Sequence, residues 1–257
     1  MSQSIKICLI QPDIIWEGPS ANLEKYSSMI TGVGQVDVII LPEMFTTGFS
    51  MHPENLKEGM DGISVSWMKE RAREQDAVIT GSLIIEDGEK IYNRGLWVYP
   101  DGKIDYYDKR HLFTMGGEHL HYSSGSNRWL TEYKGWRFSL LICYDLRFPV
   151  WSRNDRNYDI LVYIANWPSS RHHVWKKLLP ARAIENQSYC IGVNRVGRDG
   201  NGIDYKGESA LIDPKGIPYF LGKKEEIKIF EISYRELHDF RNKFPVLDDR
   251  DKFKFIS

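Results

Sequence analysis

Short, nearly unbroken apolar runs recur along the chain: IKICLI, VDVIIL, AVITGSLII, GLWVY, FSLLIC, DILVYIA, YCIGV and, near the end, IKIFEI. A strand that faces water on one side alternates polar with apolar residues, so runs without alternation predict strands buried on both faces, covered by helices or by a second sheet. Between them lie helical patterns at 22–30, 64–75 and 172–187. In the last, Val174, Leu178, Ala181 and Ile184 form the expected apolar stripe, and Pro180 is expected to kink or restart the helix. Over 77–107, successive strand signals are broken by Asp87-Gly88 and Asp101-Gly102, which predicts antiparallel hairpins. The fold class is therefore mixed α/β. No linker, repeat or low-complexity tract divides the 257 residues, so one domain over 1–257 is expected, with 234–257 as a terminal helix and tail suited to packing or subunit contact.

Charge and composition narrow the function. Thirty-four basic side chains against 35 acidic give a net charge of -1, which leaves no cationic field for a phosphate backbone or anionic lipid. No run approaches the roughly 20 apolar residues of a spanning helix. The first apolar stretch is broken by Gln11, Pro12 and Asp13 where a signal peptide would continue, so a cytoplasmic protein is expected. Cys8, Cys143 and Cys190 are widely spaced, suggesting neither a disulfide framework nor a zinc knuckle. Cys8 and Cys190 sit inside apolar runs and read as core.

In open α/β sheets ligands gather beyond the carboxyl ends of the strands. Four runs end in reactive residues: Leu41-Pro42-Glu43, Asp108-Lys109-Arg110, Cys143-Tyr144-Asp145 and Asn166-Trp167-Pro168. Taken singly, a strand-end cysteine is usually packing and Glu43 or Lys109 a surface charge. Together they supply complementary chemistry. A thiol of pKa about 8.5 needs a nearby base or a positive field to become a nucleophile; Glu43 offers the base and Lys109 the field. The oxyanion formed when sulfur adds to a carbonyl can be held by the Lys109 ammonium and the Tyr144 backbone N–H.

These three segments, in this order, resemble the signature segments of the nitrilase superfamily of carbon-nitrogen hydrolases. The similarity continues through Ala165-Asn166-Trp167-Pro168, the segment 181–187 and Asn194-Arg195-Val196-Gly197 with Asp199-Gly200-Asn201-Gly202. KRHLF at 109–113, GGEHLHY at 116–122 and ANWPSSR at 165–171 are most similar to the ω-amidase branch. The resemblance implies an αββα sandwich whose subunits pair as a homodimer or higher homo-oligomer, and a cofactor-free enzyme. It assigns Glu43 as general base, Lys109 as oxyanion stabiliser, Cys143 as nucleophile and Glu118 as a second acid nearby. The implied substrate is a small-molecule amide, the terminal amide of a 2-oxo acid such as 2-oxoglutaramate or 2-oxosuccinamate, cleaved through a cysteine thioester.

A 2-oxo acid carries a carboxylate that must meet a cation. The candidates are Arg147, Arg171, Arg195, His119 and His121, with Arg171 favoured. Trp167, Phe45 and Met115 are expected to line the apolar part of the pocket. Among rival readings, a metal-dependent hydrolase draws on Glu118-His119-Leu120-His121 and His172-His173, but leaves Cys143, Lys109 and Glu43 without roles. A Cys–His pair lacks a histidine at a strand end, and a non-catalytic scaffold leaves the filled catalytic positions unexplained. Another amide, a carbamoyl compound or a nitrile would meet the same residues.

Overall fold

In a computed structural model that describes residues 4–255, the apolar runs become strands in two six-stranded sheets. The expectations for 1–257 and for the tail extend, at 1–3 and 256–257, outside the described residues. In chain order the elements are β1 (Ser4–Gln11), α1 (Pro19–Thr31), β2 (Val38–Ile40), α2 (Ile63–Gln75), β3 (Val78–Asp87), β4 (Lys90–Val98) and β5 (Ile104–Asp108). Then come α3 (Glu118–His121), β6 (Thr131–Tyr133), β7 (Trp136–Ile142), α4 (Pro149–Ser152), β8 (Ile160–Ala165), α5 (His172–Asn186) and β9 (Tyr189–Asn194). The chain ends with β10 (Val196–Arg198), β11 (Asp204–Lys206), β12 (Ala210–Ile212), β13 (Pro218–Phe220), β14 (Glu226–Ser233) and α6 (Tyr234–Lys243).

The first sheet runs β14-β1-β2-β3-β4-β5 and the second β13-β12-β9-β8-β7-β6, with β10 and β11 as a separate ribbon. Each has a parallel centre, β1–β2–β3 in one and β7–β8–β9 in the other, flanked by antiparallel strands. Both expected hairpins form, β3 with β4 and β4 with β5.

The absence of alternation has a direct cause. Along β1 and β2, Ile7, Leu9, Val38 and Ile40 pack with Phe138, Leu140 and Ile142 of the opposite sheet. Their neighbours Cys8, Ile10, Ile39 and Leu41 pack outward with Leu23 and Tyr26 of α1 and Val65 and Met68 of α2. Both faces are dry, and the layers run helix, sheet, sheet, helix. On the far side α5 lies so close to β9 that a Cβ on Gly192 would come within 2.6 Å of Leu179 and Trp175, so only glycine fits.

Two expectations fail here, and a third fails in part. IKIFEI, as β14, alternates between half-buried and exposed positions, with Ile227 36% and Ile229 40% exposed; an edge strand has a wet face, and only part of this one meets the core. In α5 the buried face is Trp175, Leu179, Arg182, Ala183 and Asn186, not the stripe ending at Ile184, which is exposed. The true stripe contains two polar residues that bond within the protein: Arg182 donates to the Leu146 carbonyl at 2.6 Å and Asn186 to the Arg182 carbonyl at 2.9 Å. The helix also continues through Pro180 without restarting, held on its sheet side by Trp175, Leu179 and Ala183. Among the described residues, no helix is long and apolar enough to cross a membrane.

Candidate active site

Glu43 stands three residues beyond β2, Lys109 directly follows β5, Cys143 directly follows β7 and Asn166 directly follows β8. The fold brings these ends together. Cys143 opens a short 3₁₀ turn, 143–147, with φ 45, a left-handed conformation that non-glycine residues rarely take. Asp145 secures that turn. Fully buried, it accepts from the Ile142 N–H (3.0 Å), the Tyr107 hydroxyl (2.8 Å) and the His111 N–H (3.0 Å), with His111 Nδ1 2.7 Å away.

Behind Cys143 lies a cluster of fully buried charges. Lys109 Nζ donates to Glu43 Oε1 at 2.8 Å and to Glu118 Oε1 and Oε2 at 2.9 and 3.0 Å. Glu43 Oε2 accepts the Asn166 N–H at 2.8 Å, and the Asn166 side chain returns a 2.6 Å bond to the Glu43 carbonyl. Glu118, the first residue of α3, accepts the Phe113 N–H at 2.5 Å. Two carboxylates thus share one ammonium.

Burial alone would lower the pKa of Lys109, but Glu118 and then Glu43 outweigh it and hold the ammonium well above the usual lysine range. Burial raises that of Glu118, opposed by Lys109 and reinforced by Glu43. The Cys143 thiol is pushed well above its ordinary value, first by burial and then by Glu43, with Lys109 pulling the other way. The field expected from Lys109 is present but outweighed. Such a thiol rests neutral, so it can attack only as its proton leaves for a nearby base.

Cys143 is also the one member of this group with partial exposure: Glu43, Lys109 and Glu118 show none. It opens, with Tyr144, onto a small cavity of about 130 Å³. Phe113, Trp167 and Tyr205 supply apolar wall, and Arg147 and Arg171 supply charge. The Arg147 guanidinium sits 5.5 Å from the Trp167 ring centre and that of Arg171 4.8 Å from Phe113. Among the described residues neither arginine has a carboxylate partner. As second residue of its turn, Tyr144 has a backbone N–H with no acceptor inside the turn.

Several predicted site residues lie elsewhere. Phe45 does not line the cavity: it is fully buried under α1 and α2, against Tyr26 and Trp67 at ring-centre distances of 5.4 and 5.9 Å. Met44, at φ 42, reverses the chain and sends Phe45 back into that core. Met115 is 73% exposed on the outside of the 114–116 turn, while Gly116 of that turn and Phe113 just before it face the cavity. His119 is exposed because Glu118 beside it points inward, and successive helical residues do not share a face. His121 is exposed too. Arg195 is fully buried and bonded to Asp13 (3.2 Å) and the carbonyls of Ile14 (2.9 Å) and Val196 (3.0 Å), a structural role. His172 pairs with Glu208, and the described residues hold no group of three or more His, Cys, Asp or Glu placed to bind a metal ion.

Three contributors receive no role from the sequence pattern: Asp145 and Asn166, which stand among the strand-end residues, and Asn93, whose Nδ2 donates to Glu43 Oε1 at 2.8 Å. Asp145 and Asn166 follow strands and were open to the strand-end rule; Asn93 lies inside β4, where nothing in the pattern marks it.

The carbon-nitrogen hydrolase family model matches residues 6–241. The omega-amidase YafV of Escherichia coli K12 is 45% identical over 97% of this chain and 98% of its own. A 2-oxoglutaramate amidase of Bacillus subtilis is 36% identical over 95% and 96%. Among solved structures, XC1258 of Xanthomonas campestris, a CN-hydrolase superfamily protein with an arsenic adduct in its active site, superposes with a TM-score of 0.96 at 43% identity, covering 98% of this chain and 99% of that one. With sequence, layer order and full-length superposition in agreement, this chain belongs to the carbon-nitrogen hydrolase family and is an enzyme.

Proposed function

We propose that the enzyme hydrolyses the terminal amide of small 2-oxo acids, of the 2-oxoglutaramate or 2-oxosuccinamate type, to the oxo acid and ammonia through a Cys143 thioester. The observation that carries this reading is the pairing in one small cavity of a thiol backed by Glu43, Lys109 and Glu118 with two arginines that have no carboxylate of their own. The first group attacks an amide carbon. The second receives an anionic substrate end.

In the first half-reaction Glu43 takes the Cys143 proton as sulfur bonds to the amide carbon. The oxyanion is held by the Tyr144 N–H and by the positive charge of the Lys109 ammonium, which Glu43 and Glu118 keep protonated. Glu43 passes the proton to the amide nitrogen, the C–N bond breaks and ammonia leaves. Water, deprotonated by the same carboxylate, then adds to the thioester, and the C–S bond breaks to release the oxo acid and the thiol. Glu118 anchors Lys109 throughout. Arg171, with Arg147 on the same cavity wall, binds the substrate carboxylate, and Trp167 packs on its carbon chain. The amidase names of the Escherichia coli and Bacillus subtilis relatives support the same substrate class.

Ammonia release across 2-oxo-acid ω-amides, glutamine, asparagine, carbamoyl compounds and simple nitriles tests the proposal. Turnover of the 2-oxo amides should exceed that of glutamine and asparagine by at least about a hundredfold, because the latter carry beside the same carboxylate an ammonium that would face the Arg147 and Arg171 guanidinium groups. A nitrile or carbamoyl preference overturns the substrate assignment. Activity should survive a strong chelator and be lost to a thiol-alkylating reagent; the reverse pattern removes Cys143 from the mechanism.

A further inference from the structure

Asn93 occupies the middle of β4, fully buried and paired across the sheet with Ile84. A strand position of this kind ordinarily carries an apolar side chain. Instead its Nδ2 donates to Glu43 Oε1 at 2.8 Å and to Glu118 Oε1 at 3.3 Å, while its backbone carbonyl accepts the Lys109 N–H at 3.0 Å. Its Oδ1 is buried with no hydrogen-bond partner. Leaving that carbonyl unmet costs stability, and the surroundings explain the orientation: only the N–H side of a carboxamide can face two carboxylate oxygens.

The titratable groups that face Glu43 are Lys109 from the end of β5, Glu118 from α3, Cys143 from the turn after β7 and Tyr122 just past α3. With both carboxylates ionised and Lys109 protonated, this enclosed cluster carries one excess negative charge. A second cation would neutralise it but also weaken Glu43 as a proton acceptor. An uncharged donor spreads the charge without cancelling it. Asn93 and Lys109 also meet Glu43 Oε1 while the Asn166 N–H meets Oε2, which fixes the plane of the carboxylate.

We infer that Asn93 is a positioning residue: its amide bridges Glu43 and Glu118, holds the Glu43 carboxylate in orientation toward Cys143, and sets the pH at which that carboxylate becomes competent as a base. The inference rests on Glu43 being the base.

The test measures kcat and KM for amide hydrolysis from about pH 5 to pH 10 in Asn93→Ala, Asn93→Asp and Glu43→Gln, with thermal unfolding of each. In Asn93→Ala, loss of the donor favours the protonated carboxyl. kcat at pH 7 should fall about ten- to a hundredfold, KM should stay within about twofold, and the acid limb should move up by about one pH unit, so that the deficit narrows as pH rises. Asn93→Asp keeps the shape but sets a third acceptor against the two carboxylates, so its loss at pH 7 should be larger and its limb should also move up. A deficit equal at every pH, or a KM effect with kcat unchanged, overturns the inference in favour of a packing role. If Asn93→Ala does not fold, the near-isosteric Asn93→Asp decides: an unmoved limb overturns the inference. Ordinary turnover in Glu43→Gln instead removes the base itself, whatever the Asn93 variants do.

Discussion

Asp145 and Glu43 are both fully buried acids placed just beyond strand ends, yet they are solvated in opposite ways. Asp145 has each oxygen met by donors of its own, from Ile142, Tyr107 and His111, and shares none of them with another acid. Glu43 shares its ammonium and its amide donor with Glu118, and Cys143 stands beside it. Low dielectric makes an unbalanced arrangement costly to keep. The contrast separates an acid that fixes backbone from acids left poised to exchange a proton.

Substitutions on the two sides should therefore fail differently. The largest effect is expected from Cys143→Ala, with amide turnover down by at least about 10⁴-fold and an unfolding midpoint close to that of the parent, since the side chain faces a cavity; steady-state assay and thermal unfolding check both. Glu43→Gln should cost about 10²- to 10⁴-fold in kcat with substrate binding retained, as measured by initial rates and direct binding. Replacing Arg171 with methionine should raise KM about ten- to a hundredfold while kcat moves by a few-fold; an unchanged KM would transfer the carboxylate to Arg147. For Asp145→Asn, urea unfolding should show a loss of about 1–3 kcal/mol, accompanied by a drop in kcat of about tenfold as the nucleophile's turn loosens. Phe45→Ala should lose about 3–5 kcal/mol of stability with kinetic constants of the folded enzyme unaltered, which would place that ring wholly on the structural side.

Much of this was legible in the sequence, for identifiable reasons. Strands dry on both faces leave unbroken apolar runs, so both sheet centres were visible, whereas β14 was misjudged because an edge strand writes a half-wet pattern. The face of α5 was misplaced by one residue because Arg182 and Asn186 are polar yet satisfied inside the protein. The strand-end rule brought Glu43, Lys109 and Cys143 to one place since topology, not sequence distance, decides who meets. It could not say which way the next side chains turn, and so Phe45, Met115 and His119 were drawn into a pocket they do not touch. Asn93 writes no signal, since its partners lie 50 and 25 positions away.

β1 and β14 are neighbours in the first sheet, with Ser4 opposite Ser233 and Gln11 opposite Glu226. During synthesis the outer edge of β1 therefore stays bare until β14, at Glu226–Ser233, has emerged. Closing so long a loop is entropically slow, and a nascent chain stalled before β14 would offer that open edge to any passing strand. Removal of β14 should accordingly be felt first at β1, some two hundred positions earlier.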